Sequence, residues 1–121
     1  MPTILIIDDD WMNVELTQAF LERDGFDVIT ASTAAKGIAA ATQHLPSVIL
    51  CDVRLGNESG YDVCAAIKAN PATASIPVVI LTAYEKAEER QKARDAGADD
   101  FISKMGNMPV VVSRVRELAC A

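Results

Sequence analysis

Apolar residues fall along this chain in short continuous runs separated by stretches of helical period. The runs are Thr3-Ile4-Leu5-Ile6-Ile7, Asp27-Val28-Ile29-Thr30-Ala31, Val48-Ile49-Leu50-Cys51 leading into Asp52, Pro77-Val78-Val79-Ile80-Leu81, and Asp100-Phe101-Ile102-Ser103. Each has the length of a strand, and the most apolar of them predict burial on both faces, as in parallel sheets covered by helices on either side. Between the runs the period changes. From about Met12, Leu16, Thr17, Phe20 and Leu21 share a helical face that Gly25 stops. Ser32 or Thr33 can cap a second helix whose buried stripe is Ala34, Ile38, Ala41 and Leu45, and Pro46 ends it. Its small residues allow close approach to the sheet. A polar loop, Leu55-Gly56-Asn57-Glu58-Ser59-Gly60, precedes a third helix carrying Gly60, Val63, Cys64 and Ile67, which Asn70-Pro71 terminates. Pro109 opens a last helix with Val111, Val115 and Leu118 on one face.

The fourth helix, roughly Lys86 to Ala96, differs from the others. Its charged residues leave only Ala87, Ala93 and Ala96 to bury. So thin an apolar stripe fits a helix held weakly by packing and able to move. It equally fits a solvated surface helix laced by i,i+4 ion pairs. Strands alternating with helices throughout predict parallel β-α-β units with right-handed crossovers. One doubly wound α/β domain accounts for residues 1–121 with no repeat, linker or output domain.

Composition narrows the function. The length suits a single domain with a real core, and 50% hydrophobic with 23% charged residues is ordinary for a soluble globular chain. A net charge of -6 argues against direct nucleic-acid binding, which leans on Lys/Arg patches, and fits a site that gathers carboxylates around a cation. No segment approaches the roughly 20 continuous apolar residues of a membrane span. There is no signal-peptide pattern. Cys51, Cys64 and Cys120 are scattered and odd in number, which fits reduced, mostly packed thiols in a cytoplasmic protein.

The chemistry lies at the strand ends. In open α/β sheets the ligand crevice lies beyond the carboxyl ends of the strands. Those ends carry Asp8, Asp9 and Asp10; then Asp52; then Thr82; then Lys104. Taken singly, each has a plainer role: Asp52 as a turn former, the acidic triplet as a helix cap, Thr82 as a turn hydroxyl, Lys104 as a surface charge. Taken together, the carboxylates repel one another, and a hard divalent cation such as Mg²⁺ removes the conflict. A carboxylate nucleophile, a metal seat, a cation and a hydroxyl are the parts of phosphoryl transfer.

Ile6-Ile7-Asp8-Asp9-Asp10, Asp52 with Gly60 eight residues on, Ile80-Leu81-Thr82-Ala83, and Gly97-Ala98-Asp99-Asp100-Phe101-Ile102 before Lys104 resemble the response-regulator receiver domain of two-component signalling. The resemblance covers essentially the whole chain. It implies a flavodoxin-like (βα)5 fold with a five-stranded parallel sheet of order 2-1-3-4-5. It also implies a phosphoacceptor module, not a turnover enzyme, that takes a phosphoryl group on Asp52 from a histidine kinase or a histidine phosphotransfer protein. By position, Asp8, Asp9, Asp52 and the backbone carbonyl of Arg54 would hold Mg²⁺. Thr82, Ala83 and Lys104 would meet the phosphoryl oxygens, and Phe101 would change rotamer. The plainer role for Phe101 is a strand residue half-buried against the last helix, and a switch is compatible with both. Arg54 and Tyr84, two past Asp52 and Thr82, would crowd the hydrolytic water and lengthen the phosphoryl lifetime. The surface of the fourth helix, fifth strand and last helix would then bind a downstream protein target.

Two positions depart from the family pattern. Met105 follows Lys104 where Pro is common, and a cis bond before a non-proline costs ~2.5–4 kcal/mol. Gly56 stands where the loop after the phosphoacceptor usually has Pro, which suggests a looser loop. With no room for an output domain, the expectation is a single-domain regulator or a fragment of a larger regulator or hybrid kinase. Three other classes share parts of the pattern. A haloacid-dehalogenase-type phosphatase needs a second Asp where Arg54 stands, and a flavin binder would meet three acids in place of a phosphate loop. A pseudo-receiver that binds proteins without phosphate is the alternative that Met105 keeps open.

Overall fold

A computed structural model describes residues 2–82, 87–103 and 108–119. The elements run β1 (Thr3–Ile7), α1 (Trp11–Arg23), β2 (Asp27–Ala31), α2 (Ala34–His44), β3 (Val48–Asp52), α3 (Gly60–Ala69), β4 (Val78–Thr82), α4 (Ala87–Asp95), β5 (Asp100–Ser103) and α5 (Met108–Ala119). The five strands form one parallel sheet of order β2-β1-β3-β4-β5, the order expected. Strand alternation sends Leu5, Ile7, Ile49, Cys51, Val78, Ile80 and Phe101 to a layer with α2, α3 and Ala93 of α4. The alternate residues Ile4, Ile6, Val48, Leu50, Val79, Leu81 and Ile102 pack with α1 and α5. Ile4, Leu5, Ile7, Ile49, Leu50 and Ile80 are essentially fully buried. Each such side chain contributes about 1.5–3 kcal/mol of apolar burial, which makes the three central strands the anchor of the fold.

The register determines what meets at the carboxyl edge. Ile7 lies opposite Ala31 and Cys51, Asp52 opposite Leu81, and Thr82 opposite Ser103. Asp8, Asp52 and Thr82 are thereby brought to neighbouring strand ends. A backbone contact fixes the middle one. Gly60, the first residue of α3, packs so closely on β3 that an added Cβ would stand 1.8 Å from the Asp52 carbonyl oxygen. Its N–H donates to the Val53 carbonyl at 2.7 Å.

Some boundaries and faces differ from expectation. Leu45 is not on the buried stripe of α2; it is the left-handed cap at φ 47° and is 56% exposed, because the helix stops at His44 ahead of Pro46. Leu16 is also exposed, since the buried line of α1 runs through Thr17 and Leu21. The fourth strand starts at Val78, one residue after Pro77. The last helix opens at Met108, with Pro109 inside its first turn, where a missing N–H is tolerated. Thr33 is the cap of α2, its Oγ1 accepting from the Lys36 N–H at 3.1 Å. The loop after β3, expected to be loose, closes as a small antiparallel hairpin of Arg54–Leu55 with Glu58–Ser59, turning at Gly56 with φ 61°. Met105 lies outside the described residues, among which no peptide bond is cis.

Gly60→Ala is expected to lower stability by about 3 kcal/mol, the upper part of the overpacking range, because the clash is with backbone. The three atoms nearest an added Cβ at Gly37 all belong to the Ile7 side chain, the closest at 2.7 Å, so Gly37→Ala should lower it less. Urea denaturation midpoints of the two variants check the order.

Candidate functional site

Asp8, Asp9 and Asp52 each bring a carboxylate oxygen to within 4.8 Å of the others. Asp8 is buried, Asp52 half-buried and Asp9 exposed, so the cluster opens to solvent on one side. Two unit charges at this spacing repel by on the order of 3 kcal/mol at an effective dielectric constant near 20. Three hard oxygen donors gathered at one edge are the donor set that a hard divalent cation takes, and its charge offsets the repulsion. The residues present therefore fit such an ion.

The acidic triplet divides its work. Asp10 is the cap of α1: one carboxylate oxygen accepts from the Met12 N–H at 3.1 Å and the Asn13 N–H at 3.5 Å, and the other from the Asn13 side-chain amide at 3.0 Å. Asp8 accepts from the Asp10 N–H at 3.0 Å, while its own N–H donates to the Ala31 carbonyl at 3.0 Å. These bonds fix the chain as it leaves the sheet. Asp9 reaches across to the hairpin, where Oδ2 accepts from the Gly56 N–H at 2.8 Å. A cation drawing on Asp9 would share its carboxylate with that bond, which ties the site to the hairpin.

Thr82 is buried at the end of β4, one step past the β3–β4 register pair Asp52 and Leu81. Arg54 opens the hairpin two residues beyond Asp52, with its side chain exposed. Phe101 is buried, not half-buried: strand alternation sends Ile102 to the α1–α5 face and Phe101 to the α2–α3–α4 layer, while Phe101 also lines a cavity with Pro109, Val110 and Ser113 of α5. The Arg90 guanidinium lies over its ring, 4.9 Å from the centroid. Ala83, Tyr84 and Lys104 lie outside the described residues. Cys51 and Cys64 are buried, which fits the expectation of packed residues, and burial pushes the Cys64 thiol up to about 11.

Sequence reasoning missed the Asp9–Gly56 bond and a bond between Tyr61 of α3 and Glu89 of α4. Tyr61 Oη stands 2.5 Å from a Glu89 carboxylate oxygen. Neither pair has a local spacing that would reveal it. No helix among the described residues is long and apolar enough to cross a membrane.

Comparison with known proteins shows the family and the fold. The family model of the response regulator receiver domain matches residues 4–116. The DNA-binding dual master transcriptional regulator RpaA of Synechocystis is 39% identical over 118 residues, 98% of this chain and 49% of that protein. The response regulator PleD of Caulobacter vibrioides is 36% identical over 115 residues, 95% of this chain and 25% of that protein. The chain thus spans a quarter to a half of these relatives. Among solved structures, the signal receiver domain of a signal transduction histidine kinase from Syntrophus aciditrophicus superposes with a TM-score of 0.91 at 28% identity, covering 99% of this chain and 91% of that one. A CheY-like response regulator receiver domain protein from Methanospirillum hungatei gives 0.88 at 28% identity, covering 99% and 94%.

The division among the three acids is testable through Trp11, the single tryptophan, which is exposed next to them. Asp10→Ala should lower stability by about 1 kcal/mol through loss of the cap, and leave the divalent-cation midpoint of Trp11 fluorescence within about twofold. Asp9→Ala should shift that midpoint by more than about tenfold, as expected for a lost ligand in a small oxygen-donor site.

Proposed function

The chain belongs to the family of response regulator receiver domains, and from that premise we propose that it is the phosphoacceptor of a two-component phosphorelay, with Asp52 as the acceptor. The convergence of Asp8, Asp9 and Asp52 at one sheet edge carries the proposal. The donor is a phosphohistidine on a histidine kinase or a histidine phosphotransfer protein. An Asp52 carboxylate oxygen forms a bond to phosphorus as the P–N bond breaks, and the imidazole leaves with the electron pair. Asp8, Asp9, Asp52 and the Arg54 backbone carbonyl would hold Mg²⁺, which supplies neutralising charge for the phosphoryl oxygens.

The chain's own groups do the rest. Thr82 and Ala83 donate to the phosphoryl oxygens from the end of β4, and Lys104 adds a compact positive charge. The buried setting of Thr82 supports a small, directed movement of its hydroxyl in place of a search through solvent. Phe101, buried beneath Arg90, is the side chain whose two packings report the change to the surface of α4, β5 and α5, where a downstream protein binds. Arg54 and Tyr84 flank the path of the water that hydrolyses the acyl phosphate and slow it. The domain assists its own phosphorylation and dephosphorylation without turning over a substrate. We place it in the cytoplasm as one receiver unit, consistent with two buried cysteines that are not joined to each other.

Intact-mass analysis after incubation with Mg²⁺ and acetyl phosphate tests this. The expected result is a gain of one phosphoryl group that is absent in Asp52→Ala and in chelator. After removal of acetyl phosphate, the adduct should decay several-fold faster when Arg54 and Tyr84 are both replaced by Ala. No gain from acetyl phosphate or from a phosphohistidine donor, with Mg²⁺ binding intact, would support a phosphate-independent protein-binding module instead.

A further inference from the structure

The helix that borders the proposed partner surface has few buried side chains among its described residues. Within α4, among residues whose side chains are described, only Ala93 is buried, while Glu88, Arg90, Gln91, Lys92, Arg94 and Asp95 are exposed. One alanine supplies little apolar burial, so other contacts must dock the helix. Three are present around it. The Tyr61 hydroxyl donates to the Glu89 carboxylate at 2.5 Å and also lies 3.2 Å from the Glu89 carbonyl oxygen. The Arg90 guanidinium covers Phe101. The Cys64 thiol donates to the Ala96 carbonyl, just past the end of α4, at 3.4 Å.

Of these, the Tyr61 contact leads back to the phosphoacceptor. Tyr61 follows Gly60, the residue pressed against the Asp52 carbonyl. Its own N–H donates to Ser59 Oγ at 3.2 Å, which ties it to the hairpin as well. That hairpin is held in turn by the Asp9–Gly56 bond. Any movement of the Asp52 backbone or of the hairpin is therefore delivered to the first turn of α3, where the Tyr61 ring is rooted.

Charge reaches the same point. The Tyr61 bond, foremost, holds the Glu89 carboxyl below its usual range; Lys92 adds to this, and so does Arg54, two residues beyond Asp52. Burial, then Glu89, pushes the Tyr61 hydroxyl well above its ordinary value, so Tyr61 stays a donor at any physiological pH. An acyl phosphate on Asp52 replaces the single carboxylate charge with about 1.5–2 negative charges, a net gain of about 0.5–1. The added charge acts on Arg54 and so on the field at Glu89. Backbone and electrostatic routes from Asp52 meet at one carboxylate.

We propose that the Tyr61–Glu89 hydrogen bond is a tether that docks α4 and carries the state of Asp52 to it, with Tyr61 as a positioning residue. The proposal rests on the phosphoacceptor role of Asp52 given above. Tyr61→Phe removes the hydroxyl and keeps the ring, so α3 retains its packing. Glu89→Ala removes the acceptor from the other side.

Hydrogen exchange over residues 87–95, read by mass spectrometry with and without phosphorylation, tests it in wild type, Tyr61→Phe, Glu89→Ala and the double variant. Intact mass is taken on each sample. Unphosphorylated Tyr61→Phe should exchange at least about threefold faster in α4, the size expected for loss of a partly exposed charge-assisted hydrogen bond, with α5 unchanged. Phosphorylation should alter α4 exchange at least threefold in wild type and less than twofold in Tyr61→Phe, although both gain the phosphoryl mass. Glu89→Ala and the double variant should likewise respond to phosphorylation less than twofold, because all three lose the bond to the carboxylate; their unphosphorylated exchange also carries the loss of the Glu89–Lys92 ion pair. A phosphorylated Tyr61→Phe protein with the wild-type α4 response, or a wild-type α4 that does not respond, overturns the tether. A wild type that gains no mass overturns instead the phosphoacceptor role beneath it. In that case, unchanged exchange in unphosphorylated Tyr61→Phe would show independently that the bond does not dock α4.

Discussion

Mutual repulsion of three carboxylates, forced together by strand register, is the constraint around which this molecule is arranged. Pairing Ile7 with Cys51 sets Asp8 beside Asp52, and the turn that follows adds Asp9. The core has no freedom to relieve the conflict, because β1 and β3 are buried on both faces and a one-residue slip would exchange the two layers of side chains. Apolar burial thus holds in place an electrostatically unfavourable edge. A site of this kind gains most from ligands that bring positive charge, and its loops answer to whether that charge is there.

Two regimes of anchoring follow. Around β1, β3 and β4 the side chains are large, apolar and fully buried, and they offer one low-energy arrangement. Around α4 a tyrosine–carboxylate bond, an arginine over an aromatic ring and a thiol–carbonyl contact replace that burial. Polar contacts at a partly exposed site are weak individually and can be exchanged for others without opening the core. The contrast places the movable element next to a rigid sheet edge. Gly60 is the joint between the two regimes, since its lack of a side chain lets α3 touch the Asp52 backbone.

The parallel strand–helix alternation and the acidic strand ends were legible in the sequence because both depend on local pattern: apolar runs of strand length, and polar residues where each run stops. The thin stripe of α4 was legible for the same reason. The sheet order came only as what the resemblance to receiver domains implies. Leu45 was misplaced because helical spacing alone extends the stripe of α2, whereas the chain turns left-handed ahead of Pro46. The plainer role weighed for Phe101, half-buried against the last helix, understated its burial, since alternation along β5 sends it into the layer opposite Ile102. The Asp9–Gly56 and Tyr61–Glu89 bonds were out of reach. Each joins residues far apart in the chain whose meeting depends on how loops and helices sit on a finished sheet.

The most direct measurement of the central constraint is the unfolding free energy of wild type and Asp52→Asn at neutral pH, in chelator and in millimolar Mg²⁺. Asparagine keeps the shape of the side chain and removes its charge. If repulsion at the sheet edge governs the site, Asp52→Asn is more stable than wild type in chelator by at least about 1 kcal/mol, and Mg²⁺ narrows the gap by stabilising wild type more. Equal or lower stability of Asp52→Asn in chelator, with no greater response of wild type to Mg²⁺, would contradict the account.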